Sequence, residues 1–127
     1  MIVQGLMEVL QPMTIALIAI GTVVGIIFGS IPGLTATMAI VMFLPVTYSM
    51  TASEGISMLM ALYIGGISGG LISAILLNIP GTPSSVATCF DGKPMADKGE
   101  AGKALGTGVV FSFIGTVIGI GLLVVLA

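Results

Sequence analysis

The feature that most constrains this chain is where its charges are absent. Charged side chains occur only at Glu8, Glu54, Asp91, Lys93, Asp97, Lys98, Glu100 and Lys103. Between them run uncharged stretches at residues 9–53, 55–90 and 104–127. A membrane-spanning helix needs about 20 apolar residues. The first stretch therefore has room for two spans, the second for one span and a remainder, and the third for one span. Hydrophobic residues make up 57 % of the chain and charged residues 6 %, against roughly 25 % charged in a soluble domain. A water-soluble fold is excluded. The expected fold is all-α: a polytopic membrane protein with three to four spans, forming one transmembrane domain over residues 1–127 with a polar loop at 91–103.

The same residues exclude whole classes of function. Three lysines, no arginine and a net charge of −2 cannot neutralise a row of phosphates, so the chain is no nucleic-acid binder. Histidine is absent, which removes His-ligated metal sites and Ser-His or Cys-His catalysis. No enzyme, no metal and no cofactor is expected. Cys89 stands alone and reads as a small packed apolar residue. The N-terminus lacks a basic region and carries Glu8 before the first apolar run, so that run reads as a retained membrane segment rather than a signal peptide. The closing run, Ile118 to Ala127, has no polar cap, the ending expected of a cut chain or of a helix whose anchor lies further on.

Along the chain, Pro12 suits the first turn of a helix. Gly21, Gly25 and Gly29 fall at steps of four on one helix face, and Gly65 and Gly69 repeat the spacing in the next span. Such faces bring helices into close contact, and these five glycines are assigned to helix packing. Thr51 or Ser53 is placed to cap the helix that follows. Asp91-Gly92 reads as a turn. The segment 91–103 holds every lysine, which by the positive-inside rule makes it cytoplasmic.

Two breaks interrupt the apolar sequence. The first is Ser30-Ile-Pro32-Gly33-Leu34-Thr35-Ala-Thr37, and the second is Asn78-Ile-Pro80-Gly81-Thr82-Pro83-Ser84-Ser85. Proline removes a backbone donor and glycine relaxes the chain, so a helix ends at each. In hydrocarbon, unpaired backbone groups are tolerated only inside protein or along a water-filled cavity. Each break therefore has two readings: a surface loop between spans, or a re-entrant segment lining a substrate site. In the second reading, free N–H groups at a helix N-terminus attract an anion. The hydroxyls of Thr35, Thr37, Thr82, Ser84, Ser85 and Thr88 would assist. Carbonyls freed by Pro32, Pro80 and Pro83, with the Asn78 amide oxygen, suit Na⁺.

The runs Gly25–Thr35, Tyr63–Gly70, Leu77–Ser85 and Asp91–Gly99, in this order and spacing, resemble the large membrane subunit (TctA family) of the tripartite tricarboxylate transporters. The resemblance covers nearly the whole chain. It implies a secondary active carboxylate uptake system in a bacterial inner membrane, driven by Na⁺ or H⁺. Its implied partners are a small membrane subunit, an extracytoplasmic solute-binding protein and a carboxylate such as citrate. It also implies that Pro32, Gly33, Leu34 and Thr35, together with Asn78 and Pro80 to Ser85, are substrate- or ion-site elements. Two rival readings are a complete four-helix exporter, which would need a carboxylate inside a span, and a non-transporting assembly subunit held by its glycine faces.

Overall fold

The computed structural model describes residues 2–126, which among them form helices and no strand. The helices are α1 (Ile2–Val9), α2 (Pro12–Ser30), α3 (Ala36–Thr47), α4 (Ala52–Leu77), a single 3-10 turn at Pro83–Ser85, α5 (Val86–Asp97) and α6 (Ala101–Leu126). Three of them, α2, α4 and α6, are long and apolar enough to cross a membrane. At 1.5 Å per residue, α4 and α6 are each about 39 Å long and α2 about 28 Å. The 12-residue α3 reaches only about 18 Å, too short to cross a hydrocarbon core of about 30 Å. The chain is an all-α, polytopic integral membrane protein, with three helices long and apolar enough to cross a membrane and shorter helices among them.

The glycine faces set the geometry. A Cβ on Gly21 would come within 2.8 Å of the Met58 carbonyl oxygen, and one on Gly25 within 2.9 Å of the Gly66 nitrogen. Gly29 faces Gly66, Gly65 faces Thr22, and Gly69 faces Ile26 and Ser30. Residue numbers rise together along both helices, so α2 and α4 run parallel, backbone against backbone. Dispersion between backbones this close replaces the hydrophobic drive that lipid removes.

The other helices arrange themselves around that pair. Ala36 meets Gly66 and Thr47 meets Gly55, so α3 runs antiparallel to α4 and stops where α4 begins. Thr51 caps α4 through a capping box with Glu54, which satisfies donors that lipid could not. At the far end α4 closes on Asn78, left-handed at φ 58°, ψ 27°. The chain then turns back. Gly81 lies against Gly29, Gly70 and Ser73, about 10 Å below the last turn of α4 by helix rise. From there α5 climbs again, with Gly92 against Ile75. Residues 78–97 are thus a re-entrant hairpin. α6 then returns alongside α4, with Gly108 beside Leu71.

One expectation is overturned here. Residues 91–103 are not a loop, and Asp91-Gly92 is not a turn. Both residues lie inside α5, and the turn is confined to 98–100, with Gly99 left-handed at φ 81°. The reason is packing: a Cβ on Gly92 would sit 2.6 Å from Ile75 Cγ1, so this glycine permits helix contact rather than chain reversal. The charges fit helical spacing too. Lys93 pairs with Asp97 at 2.7 Å (i, i+4), and Lys103 with Glu100 at 3.6 Å (i, i+3).

Candidate functional site

Each break is built by local backbone chemistry. At the first, Gly33 takes φ +95° and the Leu34 N–H donates to the Ile31 carbonyl at 3.1 Å. The Thr35 hydroxyl then caps α3, accepting from the Met38 N–H at 3.2 Å. The N–H groups of Ala36 and Thr37 have no partner among the described residues. At the second break, the Ser85 hydroxyl donates to the Thr82 carbonyl at 2.8 Å and accepts from the Thr82 N–H at 3.2 Å. Ser85 is only 2 % exposed, so it latches the turn. The Ser84 hydroxyl, by contrast, is exposed and shares a 3.0 Å hydrogen bond with Thr82 Oγ1.

Packing brings the two breaks together. Ala36 sits on Gly66, Thr82 on Gly70 and Gly81 on Gly29, so both breaks rest on the same stretch of the α2–α4 pair. Between them is a cavity of about 500 Å³. Thr35, Ala36 and Thr37 line it from the first break, Gly81 to Ser84 from the second, and Tyr63 and Ile67 from α4. Residues 63–67 are the middle of α4, so the cavity lies at mid-depth of the bundle. The N-terminus of α3 faces it, with a partial positive charge of at most roughly half a unit, and the Pro83–Ser85 turn borders it on the other side. No charged side chain lines it.

Not every expected residue is there. Pro32, Gly33 and Leu34 form the turn that delivers Thr35 and do not line the cavity. Asn78 and Pro80 line a separate depression of about 400 Å³ with Cys89 and Lys93. Asn78 is spent on closing α4 in the left-handed conformation. The five packing glycines lie in the α2–α4 contact, as already described. Tyr63 was legible only as part of a run, and no local signal marks it as cavity-lining. Glu8 accepts a hydrogen bond from Ser53 at the end of the bundle where α2 and α4 begin. That position lies outside the spans and gives no support to an exporter with an embedded carboxylate.

Among the described residues no group of three or more His, Cys, Asp or Glu side chains is placed to hold a metal. The cavity offers hydroxyls, backbone N–H groups and a helix N-terminus, which is a chemistry for binding an anion without a basic side chain. It has no nucleophile–base pair.

Comparison with known proteins follows the same residues. The chain is 39 % identical over 109 residues to an uncharacterized 52.8 kDa protein in the TAR-I ttuC′ 3′ region of Agrobacterium vitis, covering 86 % of this chain. It spans 22 % of the length of that relative. No solved structure matches. The model of the tripartite tricarboxylate transporter TctA family matches residues 15–127, which include both breaks, the parallel glycine-faced pair and the re-entrant hairpin. The chain belongs to the tripartite tricarboxylate transporter TctA family.

Proposed function

We propose that the chain forms part of the membrane permease of a secondary active uptake system for tricarboxylates or related carboxylates. The observation that carries this reading is the meeting of both Pro-Gly breaks in one uncharged, hydroxyl-bearing cavity at mid-depth. Broken helices whose N-termini point into a cavity are how transporters hold anionic groups without a fixed cation. Thr35, Thr37, Thr82 and Ser84 would donate to a carboxylate, and the freed N–H groups of Ala36 and Thr37 would complete its shell. Coupling to a Na⁺ or H⁺ gradient, a small membrane subunit and a solute-binding protein complete the proposed system, by what the family's name and the resemblance imply. The proposed setting is a bacterial inner membrane. Residues 91–103 face the cytoplasm there, since they hold all three lysines.

The test is radiolabelled citrate uptake into proteoliposomes, with and without a Na⁺ gradient. The full assembly of permease, small subunit and binding protein is compared with the 127-residue chain alone. Gradient-dependent uptake by the assembly and none by the chain supports the proposal. Uptake by the chain alone overturns the view that it is one part of a larger permease. No uptake of citrate or any other carboxylate by the assembly overturns the substrate class.

A further inference from the structure

A second cavity lies behind the first. It measures about 420 Å³, is open on one side, and is lined by α4, by the second break with α5, and by α6, whose Ser112 and Thr116 are exposed. Ile67 and Ser84 line both cavities and form the partition between them. Its hydroxyls come from three directions: Ser68 on α4, Thr88 on α5, and Ser112 and Thr116 on α6. No charged side chain lines it.

The hydrogen bonds of these hydroxyls are informative. A Ser or Thr facing lipid satisfies its hydroxyl on a carbonyl one turn back in its own helix. Thr107, exposed on α6, does so to Lys103 at 2.8 Å, and Thr116, which lines the chamber, does so to Ser112 at 2.8 Å. Ser68, Thr88 and Ser112 do not, and they have no partner of any kind among the described residues. All three turn toward the same chamber. A hydroxyl moved into hydrocarbon without a partner costs several kcal/mol by hydrocarbon-transfer scales. Lipid tails offer these three hydroxyls no partner, and water does. A chamber of this size, with convergent hydroxyls, holds several waters.

We propose that the α4–α5–α6 chamber is a water-filled arm of the solute path, separated from the carboxylate cavity by Ile67 and Ser84. Water and small hydrogen-bonding solutes occupy it, and Ser68, Thr88 and Ser112 are the groups that hold them. The water filling rests on the unpartnered hydroxyls, and the chamber's place on a solute path rests on the transport reading above, which citrate uptake tests separately.

The experiment is thiol accessibility in native membranes, on a Cys89→Ala background. Ser68→Cys, Thr88→Cys and Ser112→Cys are near-isosteric changes. Val110→Cys and Ile114→Cys are the controls: both are exposed on α6, bracket Ser112 in depth and lie about 200° around the helix from it. The probe is a charged, membrane-impermeant methanethiosulfonate, applied to each side of the membrane in turn. Because the reagent reacts with the thiolate, which forms in water and not in hydrocarbon, the chamber positions should react at least about tenfold faster than the controls. Labelling after denaturation confirms that each cysteine is present. If one variant fails to reach the membrane, the other two report on the same chamber. Rates at the chamber positions no higher than at Val110 and Ile114, from either side, overturn the proposal and point to a dry cavity covered by lipid or another helix.

Discussion

Neighbouring hydroxyls in the second break have opposite tasks. Ser85 is buried and makes two hydrogen bonds to the Thr82 backbone, whereas Ser84 is exposed to both cavities. Ser85→Ala should therefore lower the stability of the purified permease by about 1–3 kcal/mol, through loss of the bonds that close the turn. Thermal unfolding in detergent checks this. Ser84→Ala should leave unfolding unchanged and raise the KM for citrate several-fold, as expected for losing about one hydrogen bond worth roughly 1 kcal/mol. Equal uptake kinetics in wild type and Ser84→Ala would remove Ser84 from the site. Thr35, Thr82 and Ser84 were legible because their hydroxyls adjoin Pro-Gly pairs, and a break in an apolar run announces a cavity. Tyr63, Ser68 and Ser112 were not. A hydroxyl within a continuous apolar helix carries no local mark, and only packing decides whether it meets lipid, its own backbone or water.

At the scale of elements, the parallel α2–α4 contact is the framework on which both breaks rest. Its spacing was visible in the glycine steps of four, since only residues without a Cβ let two backbones approach this closely. Gly25→Ala places a Cβ against backbone atoms of Leu62, Gly65 and Gly66. Backbone cannot rotate aside as a side chain can, so the helices must separate, at a cost of about 1–3 kcal/mol or more. Membrane yield and unfolding temperature should both fall, while Gly115→Ala, open on all sides, should change neither. The end of α4 gives a matching test: Asn78→Gly should be tolerated, and Asn78→Val should destabilise by about 1–2 kcal/mol, because a β-branched residue resists the left-handed conformation. The long helices were readable from apolar length alone. The helix through 91–97 was not, because Gly92 and Pro94 are turn-forming residues by local chemistry. The contact of Gly92 with Ile75 is a long-range feature that no local pattern carries.

Across the whole molecule, charge and hydroxyls are segregated by depth. Glu8 and Glu54 lie where α2 and α4 begin, all three lysines lie around the turn between α5 and α6, and between these ends only uncharged polar groups meet. This arrangement fits a binding site reached from water and built without a fixed cation. The measurement that tests it most directly is substrate protection in the assembled transporter on a Cys89→Ala background. Thr37→Cys reports on the first break and Ser84→Cys on the second, each exposed to a polar thiol reagent over a range of citrate concentrations. If both breaks form one carboxylate site, citrate protects both positions, and half-protection occurs at the same concentration for each once each variant's own citrate affinity is allowed for. Protection of one position alone, or of neither while uptake persists, would contradict a shared site.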